Sequence, residues 1–143
     1  MKKLLLLLGC MLSLSANDIR IVESKYGVSQ TIQNIKEIVT SKGFGVFGII
    51  NHKGNAGMVG MEMPEAKVIL FGNPKAGTKL MQEDILSALD LPIRVLVYRE
   101  SASSVKVAYR DISALKKDFK LHNEKHLEAM DKGLGAIIAK ATK

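Results

Sequence analysis

The sequence predicts an α+β domain. Apolar runs of strand length recur at Ile19 to Tyr26, Phe44 to His52, Ala66 to Phe71, Ile93 to Arg99 and Val105 to Tyr109. Helical spacing fills the stretches after Ser29 and after Asp111. At 143 residues the chain is long enough for one core that buries about two-thirds of its unfolded surface.

Ile19 to Tyr26 alternates enough to serve as a first strand. Ser29 then reads as an N-cap, and Ile32, Ile35, Ile38 and Val39 share one face of a helix that stops at Lys42-Gly43, a basic last turn followed by a C′ glycine. Phe44 to His52 is the next strand, and Lys53-Gly54-Asn55 has the composition of a tight turn. Met58 to Met63 is expected to return as a strand stopped by Pro64. Ala66 to Phe71 is apolar on both faces, which predicts a central strand covered on both sides.

Gln82 to Leu89 is expected to form a short helix. Pro92 opens the strand Ile93 to Arg99, and Ser101 to Ser104 turns the chain into Val105 to Tyr109. From Asp111 the pattern is helical: Leu127, Met130, Leu134, Ile137, Ile138 and Ala141 make a stripe, weakened by Gly133 and Gly135. A helix this rich in glycine is expected to survive by docking on the sheet.

Residues 1–16 read as a secretory signal: a basic Met1-Lys2-Lys3, an apolar stretch from Leu4 to Leu14, and small residues at Ser13 to Ala16. The run is about half the ~20 apolar residues that a membrane-crossing helix needs, so no transmembrane segment is expected in the mature chain, residues 17–143. That chain is expected in the periplasm or outside the cell. Cys10 follows Leu7-Leu8-Gly9, which resembles a lipobox and leaves a lipoprotein anchored through Cys10 as the alternative. With Cys10 the only cysteine, no disulfide forms within one mature chain.

The chain carries 21 Lys and Arg against 14 Asp and Glu, a net +7. These charges are dispersed, and the clustered cations and stacking aromatics of a polynucleotide groove are absent from the pattern. Nucleic acid is therefore not an expected partner.

Among chemistry-bearing residues, His52 ends a strand beside a turn and is the first candidate for ligand contact. Asn73 and Lys75 follow, because Gly72 to Gly77 resembles a phosphate-cradling loop; it lacks P-loop spacing and no strong helix is expected to begin on it. His122 and His126 are spaced i, i+4 on a predicted helix, a weak metal pair, and Asn123 stands where a metalloprotease would need Glu. Met58, Met61 and Met63 suit core filling better than Cu(I), since alternation splits them between two faces. Glu62, Glu65, Glu83 and Asp84 lie near these segments, and no nucleophile elbow is present. No cofactor is called for.

Several segments taken together carry a family resemblance: Thr31 to Ile38, Gly43 to Phe47, Asn51-His52, Ala56, Gly60 to Pro64, Phe71 to Lys75 with Gly77-Thr78, and Leu89 to Pro92. Over about Tyr26 to Tyr109 the chain resembles the domain-of-unknown-function 302 family. The resemblance implies a TATA-binding-protein-like fold in the order strand, helix, four strands, helix, with an antiparallel sheet, helices mainly on one face, and homodimers. It implies no catalytic residue set. Ser101 to Ser104 departs from the family's shorter acidic-glycine turn. The expected function is a non-catalytic binding or interaction module, joined by a second copy through its sheet or by a small apolar ligand. The alternatives are an enzyme using His52 with carboxylates and a periplasmic metal-binding protein.

Overall fold

A computed structural model describes residues 18–143. Five strands form one antiparallel sheet: β1 (Ile19–Ser24), β2 (Gly45–Asn51), β3 (Ala66–Gly72), β4 (Ile93–Ser101) and β5 (Ser104–Arg110), in the order β1-β5-β4-β3-β2. Helix α1 (Val28–Ser41) carries the chain from one edge strand to the other. Three further helices follow: α2 (His52–Met58), α3 (Pro74–Glu83) and α4 (Glu124–Ala141), with 3₁₀ turns at Ile85–Asp90 and Ile112–Lys117.

One face of the sheet holds the core. Ile69 and Phe71 of β3, Val95 and Val97 of β4, and Val105 and Val107 of β5 are buried there against Val28, Ile32, Ile35 and Val39 of α1. The α4 stripe docks beside them through Leu127, Leu134, Ile137, Ile138 and Ala141, and α3 contributes Leu80. This is the predicted arrangement of an antiparallel sheet with helices on one side. Gly135 faces the sheet, and a Cβ there would be in ordinary contact with the Tyr109 hydroxyl oxygen at 3.9 Å.

Helix α1 ends as its sequence requires. Gly43 takes φ +78°, Gly43 N–H donates to the Thr40 carbonyl and Phe44 N–H to the Val39 carbonyl, a Schellman closure. Its start differs from expectation. Gly27, not Ser29, is the cap residue, so that Val28 is buried in the first turn; the Ser29 hydroxyl instead accepts from Lys67 Nζ at 2.9 Å. The last turn of α4 satisfies its carbonyls on α1 and the preceding loop: Asn34 Nδ2 donates to Ala141 O, Lys25 N–H to Thr142 O and the Tyr26 hydroxyl to Lys143 O.

Three further expectations are corrected. Met58 to Met63 is not a strand: His52 begins α2, capped by the Asn51 side chain accepting from Gly54 N–H, and the chain then turns at Gly60 with φ +73°. A helix does begin on Gly72 to Gly77, because Asn73 caps α3 and Pro74 occupies its first turn. The expected helix at Gln82 to Leu89 is instead the end of α3 and a 3₁₀ turn, divided at Asp84, whose side chain caps that turn through Leu86 N–H. Residues 1–16, with Cys10 and the predicted signal, lie outside the described residues.

Candidate functional site

Because β3, β4 and β5 turn alternate residues into the core, their remaining side chains form a second face. The register aligns Ile21, Ala108, Leu96, Val68 and Ile50, one from each strand, in a single apolar row across the whole sheet. Ile21 is 55% exposed and Ile50 39%; Val68, Leu96 and Ala108 are half-buried by their neighbours. All three helices longer than α2 contribute to the opposite face, and α2 buries no residue. β3 is an interior strand, between β4 and β2, yet covered by helices on one side only, which corrects the two-sided expectation.

Phe47 extends this row. It is the extra residue of a bulge between Val46 and Gly48, and its ring lies within 3.5 to 3.8 Å of where side chains on Gly45 and Gly72 would begin. The ring packs beside these paired glycines, with 65% of Phe47 exposed. Along the other border, a shallow depression of about 660 Å³ runs beside Leu96 and Ala108. Arg94, Asp90 and Arg110 edge it, with Arg94 paired to Asp90 at 3.1 Å.

Of the residues singled out in the sequence, Asn73 and His126 come together at one pocket between α3 and α4, and the others do not converge. His52 is exposed at the start of α2, and its imidazole makes no hydrogen bond among the described residues. Asn73 is occupied as a cap, its Oδ1 accepting from Lys75 N–H at 3.0 Å and Ala76 N–H at 3.2 Å; the Lys75 side chain is exposed. His122 precedes α4 rather than lying on it, so helical spacing does not align it with His126. His126 Nε2 meets the Ala76 carbonyl at 3.1 Å. That carbonyl can only accept, so Nε2 carries a hydrogen.

The carboxylates are engaged in holding the chain together. Glu65 pairs with Arg99 at 3.0 Å. Glu83 accepts from His122 and Asn123 N–H, and the His122 bond is the main cause that holds its carboxyl below the ordinary range. Asp84 accepts from Lys120 and Leu86 N–H, with the same effect, the Lys120 bond leading. Among the described residues no group of three His, Cys, Asp or Glu is placed to hold a metal ion. The arrangement therefore offers an apolar surface more clearly than a reacting centre.

The model of the family described as "Domain of unknown function DUF302" matches residues 20–141. The chain belongs to the DUF302 family. The crystal structure of an uncharacterized conserved DUF302 protein from Bacillus stearothermophilus superposes with a TM-score of 0.70 at 18% identity, covering 87% of this chain and 95% of that one. Such identity shows a shared fold. Curated relatives include the fluoride-specific ion channel FluC 1 of Brucella suis biovar 1, 33% identical over 118 residues, covering 81% of this chain and 46% of the relative. The FluC 1 of Brucella abortus biovar 1 matches equally, with 44% of its length covered. The chain thus spans under half the length of these relatives. No helix among the described residues is long and apolar enough to cross a membrane.

Sequence reasoning foresaw a second copy on the sheet but not which residues form the open face, because alternation alone sorts residues into two faces without saying which meets the helices. The signal was present in Ile93, Val95 and Val97 against Arg94, Leu96 and Tyr98. Only the register, which aligns Leu96 with Val68 and Ala108, turns that alternation into a surface.

Proposed function

We propose that the domain is a non-catalytic interaction module that associates with a second copy of itself through the open sheet face. The apolar row from Ile21 to Ile50 carries this reading, because it continues without a charge across all five strands. Five strands at about 4.8 Å spacing and three residue rows give about 500 Å², with Arg110 and Arg94 in the row on one side and Glu23 and Lys106 in the row on the other, whereas a stable interface takes about 800 Å² per partner. Contact must then extend beyond the central rows, and the exposed Phe47 ring supplies adjoining apolar area. The relatives fit a module of this kind. Proteins named as fluoride-specific ion channels contain a region similar to this domain that makes up under half of their length.

Export belongs to the same proposal. The basic start, leucine run and small residues before Asn17 would direct the chain to the periplasm, with Cys10 offering lipid anchorage as the alternative. Intact mass of the native protein tests this: a terminus near Ala16 or Asn17 supports cleavage, a diacylglyceryl Cys10 selects the anchor, and retention of Met1 to Ser15 in the exported fraction contradicts both.

Sedimentation equilibrium at micromolar concentration tests association, since interfaces of standard size range from micromolar to picomolar affinity. A dimer is expected, and Leu96→Asp should convert it to a folded monomer by placing a charge in the interface. Ile69→Asp is the control for unfolding, since Ile69 is fully buried in the core. A wild-type monomer throughout would overturn the proposal.

A further inference from the structure

On the helix-covered side of the sheet, α4 does not close fully against the core. A pocket of about 210 Å³ lies between Phe71 and Ile93 of the sheet and Ala129, Met130 and Gly133 of α4. The α4 residues come from positions three and four apart on one helical face, the face that also presents His126. Two of them are small. A Cβ built on Gly133 would meet nothing within 4 Å, so the space beside it is open. Glycine inside a helix is destabilising relative to alanine, and here it leaves room where a larger side chain would fill. Ala129 and Gly133 are themselves exposed, which gives the pocket a way in from solvent.

The pocket has one polar end. Asn73 and His126 both line it. His126 is fixed by its bond to the Ala76 carbonyl, which ties α4 to the first turn of α3. Asn73 is fixed by the two amide donors on its Oδ1, and these assign the other amide atom as nitrogen. That Nδ2 donates to no described residue. An apolar cavity of about 150 Å³ takes up benzene, so about 210 Å³ has room for a phenyl ring and a few further atoms.

We infer that this pocket is a binding site for a small mono-aromatic molecule carrying one neutral hydrogen-bond acceptor, the ring seated against Ile93 and Met130, both half-buried, and the acceptor received by Asn73 Nδ2. The site lies on the opposite face from the association surface and does not depend on it. It also gives Asn73 a role in ligand contact beside its role as a cap.

The test is an NMR titration of the full chain with acetophenone, with ethylbenzene run in parallel as a ring without an acceptor. Saturable shifts centred on Ala129, Met130, Gly133 and Asn73 are expected for both probes. Gly133→Leu should fill the space and weaken both at least tenfold while the rest of the spectrum is retained; Ala129→Ile serves the same purpose if Gly133→Leu does not fold. Asn73→Asp keeps the capping oxygen and removes the donor, so acetophenone should bind about two- to tenfold more weakly and ethylbenzene unchanged. Shifts that do not saturate, that centre on the open sheet face, or that survive filling at Gly133 or Ala129 would overturn the site. Equal weakening of both probes by Asn73→Asp would overturn the assignment of the acceptor.

Discussion

Ser87 sits in the 3₁₀ turn at Ile85–Asp90 with its hydroxyl buried and no hydrogen-bond partner among the described residues. Leaving a polar group dry and unpaired costs stability, so Ser87→Ala should leave the unfolding free energy unchanged or raise it by up to about 1 kcal/mol. Urea denaturation measures this, and a loss larger than that would reveal a partner for the hydroxyl. Gly43 behaves oppositely. At φ +78° a side chain is strained, and Gly43→Ala should lower stability by about 1–2 kcal/mol in the same assay. Glu83 and Asp84 make a third residue-scale prediction. Both carboxyls are held below their ordinary values of 4.5 and 3.8 by backbone N–H donors from residues 120 to 123. A lowered folded-state value means the stabilising contribution is complete above the unfolded value and is lost as pH falls through the lowered one. Amide exchange at Lys120, His122 and Asn123 should therefore be slow at neutral pH and, corrected for intrinsic rates, lose protection below about pH 4; protection unchanged down to pH 2 would contradict it.

At the scale of elements, what the sequence revealed depended on how strongly each element buries itself. α1 and α4 were legible because each presents a long apolar stripe at helical spacing, and Gly43 marked the end of α1 to the residue. The β4–β5 hairpin was legible because its faces alternate, and Ser101 and Ser104 pair across a two-residue turn. α2 and α3 were not: α2 buries no side chain and α3 only Leu80, so apolar periodicity has almost nothing to register. The available signal was an asparagine before each, Asn51 and Asn73, both of which cap. If Asn73 starts α3 in this way, Asn73→Ala should cost about 0.5–2 kcal/mol and Asn73→Asp much less, read by thermal melting of the two variants. The candidate site was less legible than the fold for a related reason. His52, Lys75 and His122 were singled out by residue type, but convergence is decided by register and helix starts, and the His122–His126 pair failed once α4 began at Glu124.

For the molecule as a whole, the sheet is the dividing plane. One side is closed by α1, α3 and α4 around the core, and the other presents apolar side chains from all five strands. Surface ion pairs such as Arg20–Asp111 at 2.8 Å and Lys117–Asp18 at 2.6 Å tie β1 to the segment after β5, but exposed pairs of this kind contribute only about 0–1 kcal/mol each. They do not account for an uncovered apolar row. If a second copy covers it, as proposed, the two chains touch along that row, and cross-chain contact can be read directly. In a sample mixing ¹³C-labelled and unlabelled chains, isotope-filtered nuclear Overhauser spectra should show intermolecular contacts from the methyl groups of Val68, Leu70, Leu96 and Ala108. Intermolecular contacts confined to the outer faces of α1 or α4, or no filtered signal from a sample that sediments as a monomer, would contradict it.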